Sequence, residues 1–137
     1  MTDQELSCDQ RVQERLESRV EALSEIMDRM RDYNASEEDR EEAREEYDNF
    51  ALCFDYVEAE DGEPGYFRYQ TSWGGPSDEF RFYVDLADLK PYKVEYWFLD
   101  WYDGASRRLY GTDLELLCEV YADFNECGTC QHILDNL

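Results

Sequence analysis

The stretch Lys93-Val94-Glu95-Tyr96-Trp97-Phe98-Leu99-Asp100-Trp101-Tyr102 decides the fold. Its large side chains alternate, with Val94, Tyr96 and Phe98 in one set and Trp97, Leu99 and Trp101 in the other. A period of two in aromatic and β-branched residues marks a strand. Apolar residues in both sets mark a central strand, covered on both sides or with one face covered by a partner.

Strand-like alternation extends outward in both directions. Upstream, Phe80, Phe82 and Val84 alternate with Arg81 and Tyr83. Before them stands a turn, Trp73 to Asp78, rich in Gly and Pro. Phe67, Tyr69 and Thr71 alternate with Tyr66, Arg68 and Gln70, and Phe50, Leu52, Phe54 and Tyr56 form a further alternating set. An acidic turn, Glu58 to Gly65, joins these last two strands. Downstream, Asp103-Gly104 is a hairpin signal, and Arg107 to Tyr110 gives a short fifth strand.

The flanks have a helical period. Over residues 1–33, Leu16, Val20, Leu23, Met27 and Met30 step by four, three, four and three. This stripe packs either on the chain's own sheet or against a second copy as a homodimer seam. Ser36 reads as an N-cap opening a second helix through Asp48. Thr112-Asp113-Leu114-Glu115 reads as a capping box for a final helix ending between Asn125 and Gly128. The expected fold is α+β in a single domain over residues 1–137. An acidic helical part (1–49) with two helices precedes an antiparallel meander of four to five strands (50–111). A C-terminal helix and tail (112–137) follow.

The chain has 137 residues, 35 Asp or Glu, 13 Lys or Arg and one His, for a formal charge of −22. Direct binding to nucleic acid or to an anionic membrane is disfavoured by repulsion, and basic partners are favoured. The charge is segmental. Residues 65–111 carry seven acids and six bases, whereas residues 34–64 and 112–137 together carry 19 acids and two bases. With no signal peptide at the N-terminus and no apolar run of about 20 residues, the expected location is the cytoplasm. Five cysteines, Cys8, Cys53, Cys118, Cys127 and Cys130, are expected to be reduced thiols there.

Two constellations bear on function. The first is Cys127-Gly128-Thr129-Cys130-Gln131-His132. Cys127, Cys130 and His132 offer three of the four ligands of a closed zinc site, or a redox dithiol, so that a small zinc- or redox-active adaptor is one reading. The other reading of these cysteines is two ordinary thiols in a C-terminal cap, with no cofactor. No residues mark a catalytic centre, and a non-enzymatic protein is expected.

The second constellation is the acidic surface. Glu37, Glu38, Asp39, Glu41, Glu42, Glu45 and Glu46 crowd one short helix, and Glu58, Glu60, Asp61 and Glu63 crowd the first turn. Like charges four residues apart on a helix cost a few tenths of a kcal/mol per pair, so the sequence tolerates a real repulsion. Rows of carboxylates spaced about 5–6 Å apart imitate rows of phosphates, and attract a basic groove built for nucleic acid. The competing readings are a merely solvated face and a halophilic protein of other function, the latter in keeping with only two lysines against eleven arginines.

In this character the chain resembles the small acidic inhibitors that phages and plasmids encode against host defence, the DNA-mimicking anti-restriction and anti-CRISPR proteins. The resemblance rests on Glu37 to Asp48 and Glu58 to Glu63, and on no family motif. It implies a basic nucleic-acid-binding partner, a restriction enzyme or a CRISPR surveillance complex, in the bacterial host cytoplasm.

Overall fold

A computed structural model describes residues 7–74, 76–101 and 103–137. Strands β1 (Cys53–Val57), β2 (Tyr66–Ser72), β3 (Ser77–Asp85), β4 (Lys90–Asp100) and β5 (Asp103–Arg108) form one antiparallel meander in the order β1-β2-β3-β4-β5. Helices α1 (Cys8–Met30) and α2 (Glu37–Asp48) precede it, and α3 (Gly111–Glu126) and α4 (Thr129–Asp135) follow. The fold is α+β, with one short helix more than the sequence reading gave.

Register explains the core. The inward row Phe54, Tyr69, Phe80, Tyr96 runs beside the inward row Tyr56, Phe67, Phe82, Val94. Phe67, Phe80, Phe82, Val94 and Tyr96 are fully buried. Helix α3 covers one part of this face, with Phe124 stacked 4.0 Å from Phe54 and Tyr121 5.3 Å from Phe82. Helix α1 covers another part, where Arg11 lies 4.7 Å over the Phe98 ring. From α4, Ile133 and Leu134 pack against the same core.

The α1 stripe is occupied by this core. Leu16, Leu23 and Met27 are buried with Cys8, Val12 and Ile26, while Val20 and Met30 are half-buried. Among the described residues, the stripe therefore packs on the chain's own sheet. One polar residue joins the buried side. Arg19 donates two hydrogen bonds, of 2.7 and 3.0 Å, to the carboxylate of Asp78 on β3, which is 2% exposed. Tyr96 and Ser72 donate to the same carboxylate. Burial works against this carboxylate, yet these hydrogen bonds outweigh it and hold the Asp78 pKa below the ordinary carboxylate range.

Local signals differ from expectation at four places. The start of α1 is set by a capping box between Ser7 and Gln10, which the helical stripe from Leu16 onward does not mark. The expected first strand from Phe50 begins only at Cys53, and Phe50 packs on the Tyr69 ring from the preceding turn. The β4–β5 turn falls before Asp103-Gly104, because Asp100 pairs with Asp103 and both Asp103 and Gly104 belong to β5. Trp101 takes the left-handed backbone there, and Gly104 lies inside β5, where a Cβ would meet Leu99 Cδ2 at 2.9 Å. The expected end of β4 at Tyr102 lies outside the described residues. Finally, α3 begins at Gly111 after Tyr110 with no side-chain cap, so Thr112 does not close the box its sequence offered.

Candidate functional site

Helix α2 begins as its sequence predicts. The hydroxyl of Ser36 accepts from the backbone N–H of Asp39 at 3.1 Å, and three acids in the first turn suit the helix dipole. Only Ala43 is buried in this helix. A small residue at that position lets α2 lie close on α1 while its charged faces stay outside. Glu37, Glu38, Asp39, Glu41, Glu42, Glu45 and Glu46 are all exposed.

Six of these seven carboxylates make no ion pair within 4 Å among the described residues. Glu46 is the exception. Arg29 of α1 lies between Glu46, at 2.6 Å, and Glu25, whose Oε1 is 2.9 Å from Arg29 Nε as a charge contact off the hydrogen-bond axis. The hydrogen bond from Arg29 draws the Glu46 pKa below the ordinary range. Glu46 thus fastens α2 to α1, a structural role that sequence spacing alone did not reveal.

The acidic surface continues onto α1. Glu14, Glu17, Glu21, Glu25 and Asp28 are exposed there, opposite the buried stripe. Their signal was legible as the polar half of the amphipathic pattern. On α3, Glu115, Glu119 and Asp123 are exposed, with Glu119 tied to Arg31 at 2.7 Å. Glu58, Glu60, Asp61 and Glu63 are exposed in the β1–β2 turn, where Glu60 and Glu63 exchange backbone hydrogen bonds. The five residues of β1 separate this turn from the chain after α2, about 17 Å of strand. Turn and helix are two patches of one acidic molecule.

Between α2, β1 and α3 lies a cleft of about 540 Å³. Its apolar wall includes Phe54, Tyr69 and Phe124, and Asp48, Asp123 and Arg44 stand at its polar side. The Tyr47 hydroxyl donates to Asp123 at 2.6 Å. Burial, with Asp123 and then Asp48 nearby, raises the Tyr69 hydroxyl well above its ordinary pKa. Aromatic rings beside two carboxylates are surroundings that stabilise a cationic side chain, and Arg44 of the chain itself stands among them.

The C-terminal cysteines are arranged differently. Cys127 caps α3 and is exposed, Gly128 turns the chain through a left-handed backbone, and Cys130 is fully buried in α4. Burial raises the Cys130 thiol pKa, the opposite of thiolate activation. His132 is exposed and faces Asn136. Among the described residues no group of three or more His, Cys, Asp or Glu side chains is placed to hold a metal ion. No described helix is long and apolar enough to cross a membrane.

Comparison of the chain with protein-family models, with curated proteins and with solved structures gives no match.

Proposed function

We propose that this chain is a non-enzymatic inhibitor of a host defence nucleoprotein, of the anti-CRISPR or anti-restriction type. It occupies a basic nucleic-acid groove with the acidic helical layer and acts in the bacterial cytoplasm. The observation that carries this reading is the row of exposed, mostly unpaired carboxylates on α2. Eight acids over 12 residues, at about 1.5 Å each, give roughly one carboxylate per 2.3 Å of axis. Duplex DNA presents one charge per about 1.7 Å. After Arg40 and Arg44 are counted, α2 carries about one net charge per 3 Å, close to the roughly 3.4 Å spacing of a single strand.

Two further observations support it. The acids of α1 widen the row into a surface, as a groove requires. The cleft beside α2, with Asp48 and Asp123 on an aromatic wall, suits an arginine or lysine projecting from such a groove. Acidity acquired for high salt would spread over every exposed element, whereas the uncovered face of the sheet carries nearly balanced charge.

The test neutralises Glu37, Glu38, Glu41, Glu42 and Glu45 together to Gln, leaving Glu46 on Arg29. Inhibition of nucleic-acid binding by the target should be lost while the melting temperature stays the same or rises, because like-charge pairs are removed. Full inhibition by this variant overturns the proposal.

A further inference from the structure

The outer face of the sheet is built as deliberately as the inner one. Helices α1, α3 and α4 lie on the inner face, and the outer side chains pack on one another. Arg81 is held between the rings of Tyr66, at 4.6 Å, and Trp97, at 4.0 Å, and its Nε donates to Glu79 at 2.7 Å. Lys93 lies 4.3 Å from the Tyr83 ring. Trp97 Nε1 donates to Glu95, and Arg68 makes a two-point contact with Asp55. Tyr, Trp and Arg are the residues that dominate binding hot spots. Here they are already ordered, which lowers the entropy cost of association.

Charge shows which partner fits. This face carries Arg68, Arg81, Lys90, Lys93 and Arg108 against Asp55, Glu79, Asp85 and Glu95, a net of +1 on a chain of −22. The cationic partner proposed for the helical layer finds no attraction here. The pattern is instead complementary to itself. Strand pairing lines up Asp55, Arg68, Arg81, Glu95 and Arg108 in one row across β1 to β5. The signs run minus, plus, plus, minus, plus. A two-fold axis along β3 lays the same row over itself in reverse.

We infer that the outer sheet face is the interface of a homodimer, in which two copies pack face to face about this axis. Asp55 then meets Arg108 of the second copy, and Arg68 meets its Glu95. Lys93 comes over Tyr66 by the same operation, because Tyr66, Tyr83 and Lys93 share the neighbouring row. At the axis the two Arg81 face each other, each neutralised by the buried Glu79 of its own chain. Isologous pairing of this kind is the commonest closed assembly. The two acidic helical layers face outward on opposite sides, where salt at about 0.15 M screens their mutual repulsion beyond roughly 8 Å.

The test is sedimentation of the full chain across a concentration series at 0.15 M salt, followed by two charge reversals. The wild type should form a dimer. Arg68→Glu and Glu95→Arg each place like charges across the interface and should weaken dimerisation by at least about tenfold. An equimolar mixture of the two variants restores both opposite-charge contacts and should sediment as a heterodimer. A wild type that stays monomeric at every concentration overturns the inference, as does a mixture no more dimeric than the single variants. The wild-type series stands even if a variant fails to fold, and neither outcome depends on an inhibitory activity.

Discussion

Replacing Asp78 with Ala perturbs a buried charge that ties α1 to the sheet. The Asp78 side chain is 2% exposed and that of Arg19 26%. The replacement removes the acceptor of two bonds from Arg19, one from Tyr96 and one from Ser72. Tyr96 is fully buried, so its hydroxyl loses its acceptor. Breaking a buried pair from one side costs about 3–5 kcal/mol, a large part of a total of about 5–15 kcal/mol. At about 3–4 °C per kcal/mol for a chain of this size, the melting temperature should fall by roughly 9–20 °C. Urea unfolding, with thermal melts as a check, measures it. The pH dependence has a definite sign. The folded pKa of Asp78 is depressed, so its contribution is complete above the unfolded value near 3.9 and fades as pH falls through the folded value. The difference between wild type and variant should be constant from pH 7 down to about 5 and shrink below about 4. A loss under about 1 kcal/mol, or a difference that grows in acid, refutes the account of this network.

Three other outcomes follow from the same geometry. Ser36→Ala removes the cap of α2 and should cost about 1 kcal/mol in urea unfolding, with faster amide exchange over Glu37 to Arg40. Gly65→Ala places a Cβ against the Tyr56 ring and 2.8 Å from the Val57 carbonyl oxygen, and should destabilise the β1–β2 hairpin by about 1–3 kcal/mol in the same assay. A thiol reagent should label the exposed Cys53 and Cys127 in seconds and the buried Cys8 and Cys130 only at the rate of unfolding, and chelator should leave melting unchanged.

The periodicity that made the fold legible lies in residue type rather than in burial, since Gln70, Glu79 and Tyr83 of the outer face are buried as well. Phe67, Tyr69, Phe80 and Phe82 alternate with the polar Arg68, Gln70, Arg81 and Tyr83, and each strand they mark is present. Boundaries were less legible because tertiary pairing sets them. Asp103-Gly104 looked like a turn, but pairing of Asp100 with Asp103 puts both residues in β5, and Gly104 serves instead to leave room for Leu99. The short α4 carries too few residues for a period to show. In the acidic surface, the exposure of Glu37 to Glu45 was legible from the narrow apolar stripe around Ala43. The engagement of Glu46 by Arg29 was not, because it depends on how α2 lies on α1. Trp97 looked like a residue needing cover, and its partner is Arg81 of the neighbouring strand, a pairing visible only once register is known.

The most direct measurement of the central claim is competition at the target's groove. The wild-type chain, immobilised, is loaded with a host restriction or CRISPR nucleoprotein and then challenged with that protein's own nucleic acid at about 0.15 M salt. Mimicry predicts that the nucleic acid displaces the target in proportion to its affinity. Retention of the target at saturating nucleic acid, with both bound at once, contradicts it.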